Sequence, residues 1–348
     1  MAVPTNADAV GAAAGARKRV EELLMAFELT GAVYAAAKVG LADLLVEGPR
    51  PCAELAAATG TQAPLLQRLL RFLACVGVFA EEAPGVFGLT PEAELLRDVP
   101  GSMRGSALLW GELGTLAWRD VVGTVRTGQT GYQLTTGMRD WEYYEKNPAA
   151  GAVFNAGMTS GTRARAEELV ATYDFPTTGT VVDVAGGHGA LLAAILQARS
   201  GMRGVLFDAP HVVGGAQPLL EAAGVADRCT VVGGDFFESV PRGGDVYTLK
   251  LIIHDWDDER ATTILRNCWR AMDGHGTLLV MEGVMPSGIA TKATEYFDAA
   301  RADVTMMMWT GGKHRTVDEF RDLFGAAGFT LGRVIPTGSR YSVVEGHP

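Results

Sequence analysis

The sequence predicts an α/β protein in which a helical first half precedes a domain built on a largely parallel sheet. Three observations lead there. Up to about residue 173 the apolar residues recur at helical spacing. After Pro176 the pattern changes to short β-like runs alternating with helical stretches, and the first of these runs ends in the glycine-rich turn "AGGHG". Strands that alternate with helices form βαβ units, whose right-handed crossovers set neighbouring strands parallel. With 348 residues, 48% of them hydrophobic, the chain supplies ample core for two domains, placed at 1–173 and 174–348.

From Arg17 to about Leu45 the stretch is alanine-rich and helical, with Leu23, Leu24, Phe27, Val33, Tyr34, Val39 and Leu44 at helix-like intervals. A short helix, a turn at Thr59 and Gly60, and a second helix with Pro64 in its first turn follow, giving a helix-turn-helix outline. "FAEEAPGVFGLT" then reads as a small hairpin or wing. A DNA-reading element should be electropositive, yet residues 41–100 carry four basic side chains (Arg50, Arg68, Arg71, Arg97) against eight acidic ones. A winged helix used for packing or dimerisation is the expectation. Residues 101–173 read as further helices rich in Trp and Tyr.

In the second half, "TVVDVA", "GVLFD", "CTVVGGD", "DVYTLKLII" and "GTLLVMEGV" read as strands in turn. "FTLGRVI" and "YSVVE" have no helix between them and read as an antiparallel hairpin.

Thirty Lys and Arg against forty Asp and Glu leave a net charge of −10, which disfavours nucleic acid and anionic membrane as partners. Cys52, Cys75, Cys229 and Cys268 lie far apart without a CxxC pair, which suits a reducing, cytoplasmic compartment. The first residues lack a secretory pattern, and no segment runs 18 apolar residues unbroken.

The turn after the first strand of the second half lets backbone approach a ligand, because Gly186, Gly187 and Gly189 carry no Cβ. The dinucleotide fingerprint GxGxxG is incomplete, since Leu192 stands at the third glycine. Asp208 ends the second strand, 25 positions after Asp183, where a carboxylate can accept from both ribose hydroxyls. Asp235 closes the third run, where it can accept from an adenine amino group beside the face of Phe236. Together the three strand ends specify a nucleoside site.

On "DVAGGHG", "FDAP", "GDFF" and "HDWDDE", in order and in spacing, the chain resembles the S-adenosylmethionine-dependent O-methyltransferases of the caffeic acid and hydroxyindole type, and among them the bacterial natural-product members. The resemblance covers essentially the whole chain. It implies a Rossmann-like, seven-stranded class I methyltransferase domain behind an all-helical, winged-helix-like dimerisation domain. It also implies a homodimer whose partner helps close the substrate pocket, and Gly186, Gly187, Asp208, Asp235, Phe236 and Lys250 around S-adenosylmethionine, with S-adenosylhomocysteine as product. Ala185 stands where the family usually has a first glycine.

By the same resemblance His254 of "HDW" is the general base. An imidazole near pKa 6.5 and a phenol near 10 differ by roughly 5 kcal/mol, so proton loss that accompanies methyl transfer avoids free phenolate. Such a base needs one tautomer, normally held by a carboxylate on its other nitrogen, and Glu282 at the end of the fifth strand is the matching position. Asp255, Asp257, Asp258 and Glu259 complement the dipole of a following helix without any metal, and Asp255 can also hold a second substrate oxygen. Phe154, Asn155 and Met158 match a segment that faces the acceptor. Met306, Met307, Met308 and Trp309 fall where pocket residues are expected, with Met307 as the acceptor contact and at least one of the three methionines in the core. Met and aromatic residues suit a flat, apolar aromatic acceptor. His314 stands where the family usually has a glutamate that clamps the base. Glu282 alone is therefore expected to stabilise the imidazolium, with His314 touching the acceptor or cofactor edge and "RTVDEF" forming a capping box from Thr316 to Glu319.

The leading expectation is methylation of a phenolic or enolic hydroxyl. The alternatives are a non-methylating reaction that uses bound S-adenosylmethionine, such as hydroxylation, decarboxylation or a pericyclic step, and a winged-helix ligand sensor. His254 and Glu282 favour the first, and the acidic N-terminal half opposes the sensor.

Overall fold

A computed structural model describes residues 6–289 and 293–348. The chain forms two compact units, Met1–Glu112 and Leu113–Pro348. The division falls some sixty residues before the expected 173/174 because the intervening helices are built into the second unit. Leu169 and Val170 of the helix Ala166–Thr172 share a core with Val181 and Leu192. Further along, the Trp309 indole donates to the Tyr144 hydroxyl at 2.6 Å.

In the first unit the helix Asn6–Lys38 stops at Gly40, whose φ of +72° favours glycine. The helices Cys52–Thr59 and Ala63–Cys75 follow on either side of Gly60, with a proline in the first turn of the second as expected. Leu66, Leu70 and Leu73 recur on one face of that second helix and bury against Leu41, Leu55, Phe79 and Phe87. The wing is present as β2 (Phe79–Ala83) and β3 (Val86–Leu89), and β1 (Arg50–Pro51) pairs with β3, so a three-stranded sheet supplements the helices.

The second unit holds the seven-stranded sheet, with β4 (Thr178–Val184), β5 (Gly201–Asp208), β6 (Cys229–Gly233), β7 (Val246–Lys250), β8 (Thr277–Glu282), β9 (Thr330–Pro336) and β10 (Ser342–His347). Their order is β6-β5-β4-β7-β8-β10-β9. All pairs from β6 to β8 are parallel, and the β9–β10 hairpin runs antiparallel, as its short connection demands. Alternate residues feed two cores, Val181, Leu279 and Met281 on one face and Val182, Val280 and Leu249 on the other, so helices cover both sides. Strand order reverses at β4, and the carboxyl ends of β4, β5 and β7 meet at that switch point, where open α/β sheets bind ligands.

One strand is shorter than its apolar run. β7 ends at Lys250 rather than at Ile253: the Leu251 N–H makes the last ladder bond, to the Met281 carbonyl, and the left-handed conformation of Leu251 (φ +56°) then turns the chain out of the sheet. The chain then coils into a 3₁₀ turn, Ile253–Asp255, so His254 sits in a buried turn and not at a strand end.

Candidate active site

The glycine loop leaves β4 through Ala185, which accepts φ +55° at a cost of about 1 kcal/mol for a residue with a Cβ. The methyl group at the family's usual glycine is therefore tolerated by the backbone. Gly186 and Gly187 have different reasons to be glycine. A Cβ on Gly186 would lie 2.5 Å from Asp183 Oδ2 and 2.6 Å from Leu206, whereas one on Gly187 would meet nothing within 4 Å. Gly187 faces open space at φ +60°, and its N–H donates to Asp208 Oδ2 at 2.8 Å. The Ala209 N–H donates to Oδ1 at 2.7 Å. Burial raises the Asp208 pKa, and these two amides oppose the rise.

Asp183 pairs in register with Thr248 of β7 and accepts its hydroxyl at 2.7 Å, while Oδ2 is buried without a hydrogen-bond partner among the described residues. Burial pushes this carboxyl up to about 6. Lys250, at the end of β7, is pushed down to about 8 by burial, with Asp183 acting against that shift. Asp235 lies two residues beyond β6, in an exposed turn, and accepts from the Phe237 N–H at 2.8 Å. Beside it Phe236 meets Phe237 edge-on at 4.8 Å and Trp256 at 6.0 Å. Each Asp208 oxygen has one amide donor and a lone pair left, and the loop beside it is open. These residues fit a ligand that offers hydroxyl and ammonium donors.

His254 is buried. Its Nδ1 lies 3.2 Å from Nε2 of His314, with the rings edge to face at 4.9 Å. Its Nε2 faces Asp255 Oδ1 at 3.6 Å, beyond hydrogen-bond length. This corrects two expectations. Glu282 does not hold the imidazole; its Oε2 accepts the backbone N–H of His254 at 3.2 Å, because β8 ends beneath the turn rather than beside the ring. Nor is His314 left to face a ligand edge. Its backbone N–H donates to Asp303 at 2.8 Å, its Nδ1 sits 2.9 Å from the Gly283 carbonyl, and Arg315 bridges to Val284, which places the ring directly behind His254.

Burial holds His254 well below its ordinary pKa, assisted by His314, Lys250 and Arg315. Glu282 is fully buried with Oε1 unpartnered among the described residues, and burial pushes it up to about 7 against the pull of Arg315. Asp255 is raised well above its ordinary value by burial, then by Asp140 and Glu282.

The acids after His254 divide as their positions dictate. Asp257 caps the helix Asp258–Met272 by accepting from the Arg260 N–H, and Asp258 pairs with Arg315 and Lys313. Asp255 instead lies in the buried turn, beside a cavity of about 90 Å³ lined also by Thr130, Gln133, Arg139 and Thr310. That volume suits a few water molecules and is too small for an aromatic acceptor.

Phe154, Asn155 and Met158 share one face of the helix Pro148–Arg163. Phe154 stacks on Tyr144 at 4.8 Å and meets Trp141 edge-on at 5.3 Å, and Trp141 stacks at 6.3 Å on Trp256, two residues from His254. Aromatic contacts thus link the Phe154 helix and the Phe236 turn through Trp256. Of the three methionines, Met308 is core, while Met306 and Met307 are half-buried. Met307 follows Asp303 by one helical turn and so lies on the face that holds His314.

Three contributors escaped the sequence reading. Arg315 is fully buried and donates to the Ile253 and Trp256 carbonyls at 2.9 Å each and to Asp258, clamping the His254 turn. Gly312 lies so close that a Cβ there would sit 2.0 Å from the His254 carbonyl oxygen. Asp140 is buried, with its carboxyl pushed up to about 7 by burial. Only the doublet Gly311-Gly312 beside "KHR" hinted at a close backbone approach.

The fold and the loop define a class I methyltransferase. An O-methyltransferase domain model matches residues 118–330 and an O-methyltransferase dimerisation domain model matches residues 21–98; the chain belongs to this O-methyltransferase family. It is 47% identical over 328 residues to the phenazine O-methyltransferase PhzM of Lysobacter antibioticus, covering 94% of this chain and 95% of that protein. The crystal structure of LaPhzM superimposes with a TM-score of 0.91 at 46% identity, covering 95% of this chain and 99% of the other. NcsB1 from neocarzinostatin biosynthesis, solved with S-adenosylmethionine and 2-hydroxy-5-methyl naphthoic acid, aligns with a TM-score of 0.76 at 34% identity over 92% of this chain and 95% of its own.

Proposed function

We propose that this protein transfers a methyl group from S-adenosylmethionine to a phenolic or enolic hydroxyl of a flat aromatic small molecule, in natural-product biosynthesis. The observation that carries the reading is the buried His254 at the switch point, next to an open glycine loop and an aromatic wall. When bound, S-adenosylmethionine supplies an electrophilic methyl on a positively charged sulfur. Asp208 would accept from its ribose hydroxyls and Asp235 from its adenine, with Gly186, Gly187, Phe236 and Lys250 completing the contact. Phe154, Met158 and Met307 would hold the acceptor's apolar faces, Asn155 and Asp255 its polar groups. His254 takes the hydroxyl proton on Nε2 as the oxygen–carbon bond forms, and releases it after the product leaves.

Two chains would act together. The dimerisation domain model covers the first long helix from residue 21, on which Leu24 and Phe27 are 68% and 73% exposed in the single chain. Side chains of that size left in water are the mark of an interface. No helix among the described residues is long and apolar enough to cross a membrane.

His254→Ala tests the reading. It should keep its affinity for S-adenosylhomocysteine, measured by calorimetry, and lower turnover by about 10² to 10⁴, the usual contribution of a general base. Undiminished turnover would remove His254 from the chemistry.

A further inference from the structure

Two hydrogen bonds in series fix where the protons of the His254–His314 pair reside. A backbone carbonyl only accepts, so the 2.9 Å contact between His314 Nδ1 and the Gly283 oxygen requires a proton on Nδ1. In a neutral His314 the other nitrogen, Nε2, then carries the lone pair. Nε2 stands 3.2 Å from His254 Nδ1, so His254 must carry its own proton on Nδ1 and keep its lone pair on Nε2. We infer that His314 is a positioning residue that locks His254 in the single tautomer able to take a proton at Nε2, with the Gly283 carbonyl as the anchor of the relay.

The surroundings keep this pair uncharged. For His314 burial comes first, opposed by the Gly283 carbonyl and Asp303 and reinforced by Arg340 and Arg315. For His254 burial again comes first, followed by His314, Lys250 and Arg315 in the same direction. Asp255, the acid nearest Nε2, is 3.6 Å away and raised toward its neutral form by burial, then by Asp140 and Glu282, while Glu282 itself is engaged by the His254 backbone. No carboxylate oxygen among the described residues lies within hydrogen-bond length of either ring nitrogen of His254. When Nε2 gains a proton, the Nδ1–H bond to His314 already has the geometry the imidazolium needs, so no partner has to reorient.

The inference rests on the reading of His254 as the base, but its test does not need an acceptor. Nitrogen NMR of the purified protein with labelled histidines, in the presence of S-adenosylhomocysteine near neutral pH, should show His254 with a protonated Nδ1 and an unprotonated Nε2, and His314 likewise. His314→Leu should abolish that signature, giving mixed tautomers, with turnover on any accepted substrate falling about tenfold or more. His314→Gln, whose carboxamide oxygen can reach the place of Nε2, should restore the signature. His314→Glu should raise the His254 titration and move the acid limb of the pH–rate profile with it, because a carboxylate beside the ring favours imidazolium. A wild-type spectrum with the proton on His254 Nε2, or an unchanged His254 tautomer in His314→Leu, would overturn the inference. Should His314→Leu not fold, the wild-type spectrum decides alone. Failure of the base reading would look different, with the tautomer intact and His254→Ala still at full turnover.

Discussion

Replacing Glu282 by Gln should change how stability depends on pH. Glu282 is fully buried at the end of β8, one oxygen accepting the His254 N–H and the other unpartnered, and burial moves its pKa from 4.5 to about 7. Over that window the folded chain holds a proton that the unfolded chain releases, so stability through this group falls as pH rises and the loss is complete above about 7. A shift of this size corresponds to about 3 kcal/mol in all, of which about 2 kcal/mol falls between pH 5 and pH 8. Gln keeps a carbonyl for the His254 N–H and has nothing to ionise. Groups common to both proteins cancel in the comparison, so the stability of Glu282→Gln relative to wild type should rise by about 2 kcal/mol from pH 5 to pH 8. Urea unfolding of both proteins at the two pH values, without added ligand, measures it. A difference that stays flat, or falls with pH, would mean that Glu282 ionises normally and that its carboxylate is stabilised in a way the hydrogen bonds do not show.

Asp208→Asn should weaken S-adenosylhomocysteine binding by about ten- to a hundredfold in calorimetry, the scale of a hydrogen bond to a charged group; unchanged affinity would take Asp208 out of the cofactor site. Arg315→Met should cost about 2–4 kcal/mol in urea unfolding, because it strands the Ile253 and Trp256 carbonyls, with Asp258 able to return to water. A loss below about 1 kcal/mol would show that the turn holds without its clamp.

The second half of the chain was the more legible. Short apolar runs alternating with helical stretches marked every strand of the sheet, because strands buried on both faces read as nearly continuous Val, Ile and Leu. The limit of β7 was not visible, because Leu251, Ile252 and Ile253 are as apolar in a turn as in a strand and only the φ of Leu251 separates the two. The partner of the His254 ring was equally hidden. Glu282 and His314 are both close to the turn, and which one reaches the ring depends on whether the side chain rises beside it or ends beneath it. Arg315 left no mark, as a buried arginine satisfied by carbonyls looks in sequence like a surface one.

The roles proposed for His254 and Asp208 meet in one outcome, a methyl group placed on an aromatic or enolic oxygen. Incubating the protein with S-adenosylmethionine carrying an isotopically labelled methyl and a panel of hydroxylated aromatic acceptors, then locating the label by carbon NMR, tests it most directly. The wild type should form a product with one added methyl in a methoxy environment, strongly reduced in His254→Ala. A label found on nitrogen or carbon, or an acceptor altered without gaining the label, would contradict it.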